Sequence, residues 1–538
     1  MSLPDPNPAP RHTDSPRRHY NVIVVGCGPV GATLANLLLD NGHTVAIIEQ
    51  ETAVFDAPRA MMFDDESDRI IADLGVRKAM QDEDIFLFPS HRVIDPRGKT
   101  LLAYDVERAG AVVGWTFHQP TLEALLRARL SGPGLDTYFG YRVNTVTGGS
   151  ELARLLATEI DTGREIKLTG DYIVGCDGAA SMVRRSMGFG RTDFGFSQSW
   201  VVVDAVTRDT ATFEAMPDGA QFICRGTRSG IYAKGCRQHL RFDFRVTPVP
   251  GKTDWTEDAR RQIAEYVDPS KVDIKRVSPY IFYAGMPDHW RKGRLLVAGD
   301  AAHQTPPFAG QGLNMGLRDA VNLAFKLDLV LTGRAADGLL DTYEQERWKN
   351  CATVIKAAVG TGKLITSTRR FNAIVRAVAL FVANHSRAAL RARIRHEVRK
   401  RPYRDGFLGR VHKLSGSLMD SPYMLTVSGD CRLDQLIGND FVLLTAEPAH
   451  GAGVEAFRRR LGGKVVVLGL DAVSRDGELE VWLHKNQISA VVVRPDKYVF
   501  DAGNDPNELC ERLLAALDGY ASTLGAHPSP VRPVSTAN

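Results

Sequence analysis

The stretch Gly26-Cys27-Gly28-Pro29-Val30-Gly31 follows an apolar run rich in β-branched residues, Tyr20 to Val25, and precedes the helical pattern Thr33 to Asp40. Asn41-Gly42-His43 breaks that pattern, and a second apolar strand, Thr44 to Ile48, delivers Glu49. Together these segments form one βαβ unit of about 30 residues. Its residue types suit one chemistry. Glycines let backbone approach a pyrophosphate, a helix N-terminus supplies free N–H groups and positive potential, and an acid ending the second strand accepts hydrogen bonds from ribose hydroxyls. The unit therefore reads as a dinucleotide site, with Gly26, Gly28, Pro29, Val30, Gly31, Glu49 and the following Gln50 as its contacts. The look-alike Gly451-Ala452-Gly453 is separated from its preceding strand by Ala446-Glu447-Pro448 and reads as a surface loop.

Two further segments place an acid where a strand ends. Asp171 to Arg184 contains a strand running into Asp177-Gly178 and then a helix. Gly299-Asp300-Ala301-Ala302-His303, followed by Pro306 to Asn314, is an acid after a strand, a proline-containing loop and a glycine-rich helix start. These three motifs, in this order and spacing, resemble the class A flavoprotein monooxygenases, the single-component aromatic hydroxylases with the para-hydroxybenzoate hydroxylase fold. Arg59 after Pro58, Phe117-His118-Gln119-Pro120 and Asp341-Thr342-Tyr343 with Glu346-Arg347 agree with it. Pro58-Arg59-Ala60, Asp64-Asp65-Glu66, Trp200 to Asp204, Arg241 to Phe244 and Val493 to Tyr498 are similar to the 3-(3-hydroxyphenyl)propionate hydroxylase and phenol hydroxylase branch.

The resemblance implies tightly bound FAD, NADH or NADPH as a transient co-substrate, and O2. It implies ortho-hydroxylation of a phenolic substrate through a flavin C4a-hydroperoxide, in aromatic catabolism. Beyond the first unit it assigns Arg59, Gln119, Asp177, Gly178, Gly299, Asp300, Pro307, Gly310, Gln311, Gly312, Leu313 and Asn314 to the cofactor. Asp300 suits ribityl hydroxyls, and a helix N-terminus near Gly312 suits the pyrimidine edge, where negative charge develops on reduction. The plainer readings are a helix cap for Asp177 or Asp300 and a packed structural role for His303. One dinucleotide fingerprint and no CxxC argue against a two-domain flavin disulfide reductase.

The elements that hold these residues follow from periodicity. An α/β fold is expected: a Rossmann-like FAD domain, an inserted mixed β-sheet that binds substrate, and a C-terminal thioredoxin-like domain. The expected boundaries are a disordered arm over 1–19, the FAD domain over 20–190 and again over 291–350, and the substrate sheet over 191–290. A helical region over 351–425, the thioredoxin-like domain over 426–522 and a disordered tail over 523–538 complete the division. His239 to Val246 alternates apolar and polar residues, the mark of a sheet with one covered face. The substrate pocket is expected between Pro307 to Gly310 and a sheet face carrying Trp200, Gln221, Arg225, Tyr232 and Arg241. Tyr232 or His118 would assist departure of the phenolic proton, and Arg225 or Arg241 would pair with a substrate carboxylate; the plainer reading of each is a packed or solvent-facing residue. The thioredoxin-like unit has no cysteine pair and reads as structural.

The composition of the 538-residue chain sits in the globular range, with 44% hydrophobic and 24% charged residues. A net charge of +4 is too small to mark a nucleic-acid binder, and seven scattered cysteines suggest neither a disulfide framework nor a zinc site, so a cytoplasmic protein is expected. Residues 1–19 lack the apolar core of a signal peptide, and no apolar run is long enough to span a membrane. The basic stretch Arg369 to Arg404 reads as a solvated helical face, and its segment Ala373 to Val382 is compatible with a homodimer interface. Two alternatives share some of these motifs: a flavin monooxygenase that tailors a polycyclic natural product, and a non-catalytic nucleotide-binding protein, which should lack the Gly299 to Asn314 pattern.

Overall fold

The structure is a computed structural model describing residues 19–95, 97–105, 114–368, 401–426 and 429–520. The expectations for the two termini and for the basic stretch from Arg369, with its interface segment, lie outside those residues. The chain divides into two compact units, residues 1–324 with 347–401, and residues 325–346 with 402–538.

The first unit contains two large sheets. His19–Val25, Val45–Glu49, Leu135–Phe139, Glu165–Gly175 and Leu295–Val297 form a parallel ladder, with His19–Val25 between Glu165–Gly175 and Val45–Glu49. Val22, Ile23 and Val24 are fully buried, as both-sided burial of a parallel strand requires. The carboxyl ends of three of these strands lead into the Gly26, Asp177 and Asp300 turns, so motifs far apart in sequence converge at one edge.

The second sheet has seven strands in the order Val272–Pro287, Arg191–Thr207, His239–Arg245, Gly230–Lys234, Ala220–Ile223, Ser90–Ile94 and Thr100–Asp105. It is mixed, because Ala220–Ile223 pairs in parallel with Ser90–Ile94. Two of its strands thus come from the region expected to belong to the FAD domain alone. A strand needs only a free edge of matching register, and here Cys224 N–H adds a further bond to the Ile94 carbonyl at 2.9 Å.

In the second unit Val442–Thr445 pairs in parallel with Lys464–Val467 and antiparallel with Ala490–Val493, which pairs antiparallel with Val499–Gly503. Helices Ala452–Leu461 and Pro506–Gly519 complete a βαβ–ββα order compatible with the thioredoxin-like expectation. The unit starts earlier than expected, at Pro402, and includes Phe325–Glu346. The reason is a buried charge cluster: Arg494 donates to Glu346 Oε1 at 3.0 Å and Oε2 at 2.7 Å, and Lys326 Nζ lies 3.0 Å from Glu346 Oε2. All seven cysteines are free. Among the described residues no helix is long and apolar enough to cross a membrane.

Candidate flavin and substrate site

The first glycine turn is shaped by contact rather than by flexibility. A Cβ on Gly31 would lie 2.0 Å from the Gly26 carbonyl oxygen, so only glycine lets the helix Pro29–Asp40 start this close to the strand. A Cβ on Gly28 would meet nothing within 4 Å, and no side chain caps that helix. Open space beside an uncapped helix N-terminus is what a pyrophosphate needs. Glu49 closes the turn: its Oε2 accepts from Cys27 N–H at 2.7 Å and its Oε1 from Glu51 N–H at 2.9 Å. Arg127 braces the same turn by donating to the Cys27 carbonyl at 3.2 Å. Burial pushes the Cys27 thiol up to about 12, so it is an inert wall. Beyond Glu49 an open polar cleft of about 280 Å³ is lined by Gln50, Thr52, Gly140, Arg142 and Asp161 among others.

The Asp300 turn meets this first turn directly. Gly299 has φ +63°, and Val30 on the first helix packs so closely that a Cβ on Gly299 would sit 3.1 Å from it. Behind the turn, buried Asp319 accepts from Gly299 N–H at 3.0 Å, from His303 Nε2 at 2.7 Å and from Arg347 Nε at 2.8 Å. Burial alone would raise the Asp319 carboxyl, but the charges and hydrogen bonds of His303 and Arg347 hold it low. His303 thus takes the packed role. Asp319, His303 and Cys351 cluster like metal ligands, yet the cation among them is the Arg347 guanidinium, which also donates to Cys351 Sγ at 3.5 Å.

Asp300 itself is solvent-accessible, yet burial raises its pKa against the opposing charges of His303 and Arg59. A carboxyl that water reaches but that protein surrounds lines a concave site. Asp177 differs, since its Oδ2 accepts from Met182 N–H at 2.7 Å and Val183 N–H at 3.2 Å. It caps the following helix, while its Oδ1 is buried without a partner and Gly178 beside it opens onto space. Gln119 Oε1 accepts from Arg59 N–H at 2.8 Å and Ala60 N–H at 2.5 Å, so it holds the Arg59 loop by its backbone. Asn314 is buried and ties Gly310 to the helix Asp65–Asp73, donating to the Gly310 carbonyl at 2.8 Å and accepting from Asp64 N–H at 3.0 Å. Gln311 contacts Arg318, which pairs with Asp64 and Glu66. Pro307, Gln311, Gly312 and Leu313 are partly exposed and Gly310 is exposed, which leaves their surface open to a ligand. An open turn beside an uncapped helix, an acid in a concave wall and a carboxylate at the strand end fit FAD.

Register decides which side chains of the second sheet face that site. Trp200 lies opposite Tyr280 and Arg245, and Asp204 lies opposite Arg241 and Arg276, so all of these share one face. Trp200 and Phe222 ring-contact Phe308 of the Pro307 to Gly310 loop at 5.8 and 6.4 Å, and Phe282 packs on Trp200 at 5.3 Å. Arg241 donates to the Pro58 and Arg59 carbonyls at 3.2 and 2.8 Å and to Asp243 at 2.9 Å. Arg276, which the sequence does not single out, donates to the Pro58 carbonyl at 3.3 Å and to Asp204 at 2.6 Å. This face therefore meets both flavin-side loops.

Three of the five residues expected there are elsewhere. Tyr232 lies opposite Phe242 on the other face, among Trp255, Ala259 and Ile263, and its hydroxyl donates to the Pro217 carbonyl at 2.9 Å. Gln221 lies opposite Tyr232, and Arg225 pairs with Glu265. Alternation by two sends Tyr232 and Gln221 to the covered face, whereas Arg225 lies past its strand at the start of a short 3-10 turn. His118 begins the helix Gln119–Arg129 with Nδ1 2.9 Å from Thr121 Oγ1, and burial, aided by the Arg237 charge, pushes it down to about 4. Arg241 is engaged with protein atoms, not poised for a carboxylate. Tyr280, which the sequence does not single out, is 49% exposed on the flavin-side face. Burial raises its pKa, as does the nearby charge of Asp300.

Residues 19–358 match the FAD binding domain family and residues 416–518 the HcaD C-terminal domain. The chain is 31% identical to a probable NADH-specific resorcinol 4-hydroxylase of Rhodococcus jostii (strain RHA1), over 96% of this chain and 98% of that protein. It is 31% identical to a 3-(3-hydroxy-phenyl)propionate/3-hydroxycinnamic acid hydroxylase of Mycolicibacterium gilvum (strain PYR-GCK), over 94% and 93%. Its fold matches the solved complex of aklavinone-11 hydroxylase with FAD and aklavinone, with TM-score 0.77, 22% identity and coverage of 93% of this chain and 99% of that one. The chain belongs to the FAD-binding-domain family of flavin-dependent aromatic hydroxylases.

Proposed function

We propose that this hydroxylase inserts one oxygen atom of O2 into a small phenol, ortho to its hydroxyl, with NADH as the reductant. The observation that carries the reading is the full-length similarity to a probable NADH-specific resorcinol 4-hydroxylase. Bound FAD supplies the redox chemistry, taking a hydride from the nicotinamide and activating O2, so that one oxygen enters the ring and the other leaves as water. The chain's own work is to hold and seal. Glu49 and the turn at Gly26 to Gly31 would hold the adenosine and pyrophosphate end, and Asp300 the ribityl chain. Trp200, Phe222, Phe282 and Phe308 pack on one another as a buried aromatic cluster, which would back the pocket and keep water out of it. Loss of the phenolic proton makes the ortho carbon nucleophilic. The free cysteines suit a reducing cytoplasm.

Solved relatives of the same fold include an aklavinone hydroxylase and an anhydrotetracycline hydroxylase, so a polycyclic substrate is the competing reading. A panel of resorcinol, simple phenols, hydroxyphenylpropionates and polycyclic phenols, scored for NADH oxidation and for hydroxylated product against peroxide, separates them. Coupled hydroxylation of a one-ring phenol is expected. Turnover of polycyclic compounds alone would overturn the reading.

A further inference from the structure

We infer that the hairpin turn Arg237-Gln238 is a latch: Arg237, held by Asp84, joins the inserted sheet to the flavin side and so positions the loop that carries Arg59. The inference rests on the family's FAD and is independent of the choice of substrate.

The turn links the strands Gly230–Lys234 and His239–Arg245. It is closed by His239 N–H to the Cys236 carbonyl at 3.0 Å and by Gly235 N–H to the His239 carbonyl at 2.8 Å. Arg237 has φ +52° and Gln238 φ +58°, and among the described residues no other two adjacent non-glycine residues are left-handed. A two-residue hairpin turn of this kind favours Asn-Gly, because a larger side chain in the left-handed region crowds its own backbone. Here both side chains are put to use. Gln238 Oε1 accepts from Thr207 Oγ1 at 3.1 Å. Arg237 donates its N–H to the Glu83 carbonyl at 3.2 Å and its Nε to Asp84 Oδ1 at 2.5 Å, and its Nη2 lies 2.9 Å from Glu83 Oε1. Strain kept at such a turn points to a role for what it presents.

Asp84, where the latch engages, is fully buried. Its Oδ1 also accepts from Thr121 Oγ1 at 2.9 Å and its carbonyl from His118 N–H at 2.8 Å, which fixes it to the start of the helix Gln119–Arg129. Burial by itself would raise the Asp84 carboxyl, but Arg237 and Thr121 hold it below the usual carboxylate range, so the pair with Arg237 is ionic.

The loop from Pro58 to Met61 is gripped from both of the elements that the latch joins. On the helix side Gln119 accepts from Arg59 and Ala60 N–H, and Phe117 N–H donates to the Met61 carbonyl at 3.1 Å. On the sheet side Arg241 and Arg276 donate to the Pro58 carbonyl. Arg276 is anchored by Asp204, whose other oxygen lies 3.0 Å from Nε2 of His239, the residue after the turn. Met61 also packs on the hairpin, since a Cβ on Gly235 would lie 2.6 Å from its Cε. With the latch open the two grips lose their joint at the turn, and the Arg59 guanidinium, whose charge acts on Asp300, shifts with the loop.

The test compares the full FAD-loaded chain as wild type, Gln238→Gly, Arg237→Gln, Arg237→Lys and the double variant Arg237→Asn with Gln238→Gly, which has a relaxed turn and no latch. FAD release is followed by recovery of flavin fluorescence, alongside a thermal melt. Gln238→Gly should melt at or above wild type and release FAD at the wild-type rate. Arg237→Gln should release FAD severalfold faster, and Arg237→Lys should recover part of the loss, because an ammonium still pairs with Asp84 as a point charge. The double variant should release FAD as fast as Arg237→Gln although it melts higher, and it decides the matter alone if Arg237→Gln does not fold. Wild-type FAD release in the double variant would overturn the latch, whether Arg237→Gln is also unchanged or its faster release proves to be an effect of stability alone.

Discussion

Replacing Asp319 by Asn tests whether the flavin-side turn is held from behind. The carboxylate serves three donors with two oxygens: Gly299 N–H and His303 Nε2 on one, Arg347 Nε on the other. Asparagine offers one oxygen and one NH2 group. If its NH2 faces Arg347, two donors confront each other and a guanidinium only 3% exposed loses its counter-charge. If its NH2 faces the turn, Gly299 N–H is left without an acceptor. Removing one member of a buried pair costs about 3–5 kcal/mol, and an orphaned backbone donor alone about 1–3 kcal/mol. Only about 1.4 kcal/mol of that reaching the Gly299–Asp300 turn would weaken FAD binding tenfold. The assay is FAD dissociation followed by recovery of flavin fluorescence, alongside a thermal melt. Asp319→Asn should release FAD at least about tenfold more readily and melt lower. Wild-type retention together with a wild-type melt would refute the idea that Asp319 positions the turn.

Gly31→Ala should purify without flavin, because its Cβ would sit 2.0 Å from the Gly26 carbonyl oxygen and backbone cannot yield as a side chain can; titration with FAD checks this. His118 has a folded pKa near 4 against an ordinary 6.5, so between these values the unfolded chain binds the proton and the folded one does not. Stability therefore falls as pH drops through that window, and His118→Gln should flatten this part of a melting-temperature profile. Arg276→Ala removes a donor to the Pro58 carbonyl and the partner of buried Asp204, so FAD retention should drop severalfold, with Arg276→Lys recovering part of it in the same titration. Truncation after residue 425 removes Arg494 and leaves Glu346 and Lys326 as an incomplete buried cluster within the second unit. The shortened protein should be insoluble or melt far lower; from sequence alone, a tail without cofactor motifs suggests lower solubility or assembly with flavin chemistry retained, and solubility and flavin content after purification decide.

The three flavin motifs, the βαβ start and the α/β class were legible because each is encoded by contiguous residues. A strand, a glycine or acid turn and a helix N-terminus announce themselves by spacing, and the chemistry they serve is set by backbone N–H groups and one carboxylate. His303 was legible as a packed residue and Arg347 as part of a family signal, but Asp319 was not singled out and nothing local said that the three meet, since neither Asp319 nor Arg347 lies within the Gly299 to Asn314 pattern. The sheet face shows the limit most clearly. Alternation along His239 to Val246 separates two faces, yet nothing local says which one meets the flavin loops, and so Tyr232 was expected on a face where the register places Tyr280 instead. That choice was made by strand register, which sets Tyr280 opposite Trp200, and by the contacts of Trp200 with Phe308 and of Arg276 with Pro58. Local sequence determines how each strand alternates, but only packing against a second surface decides which side of a sheet becomes the site.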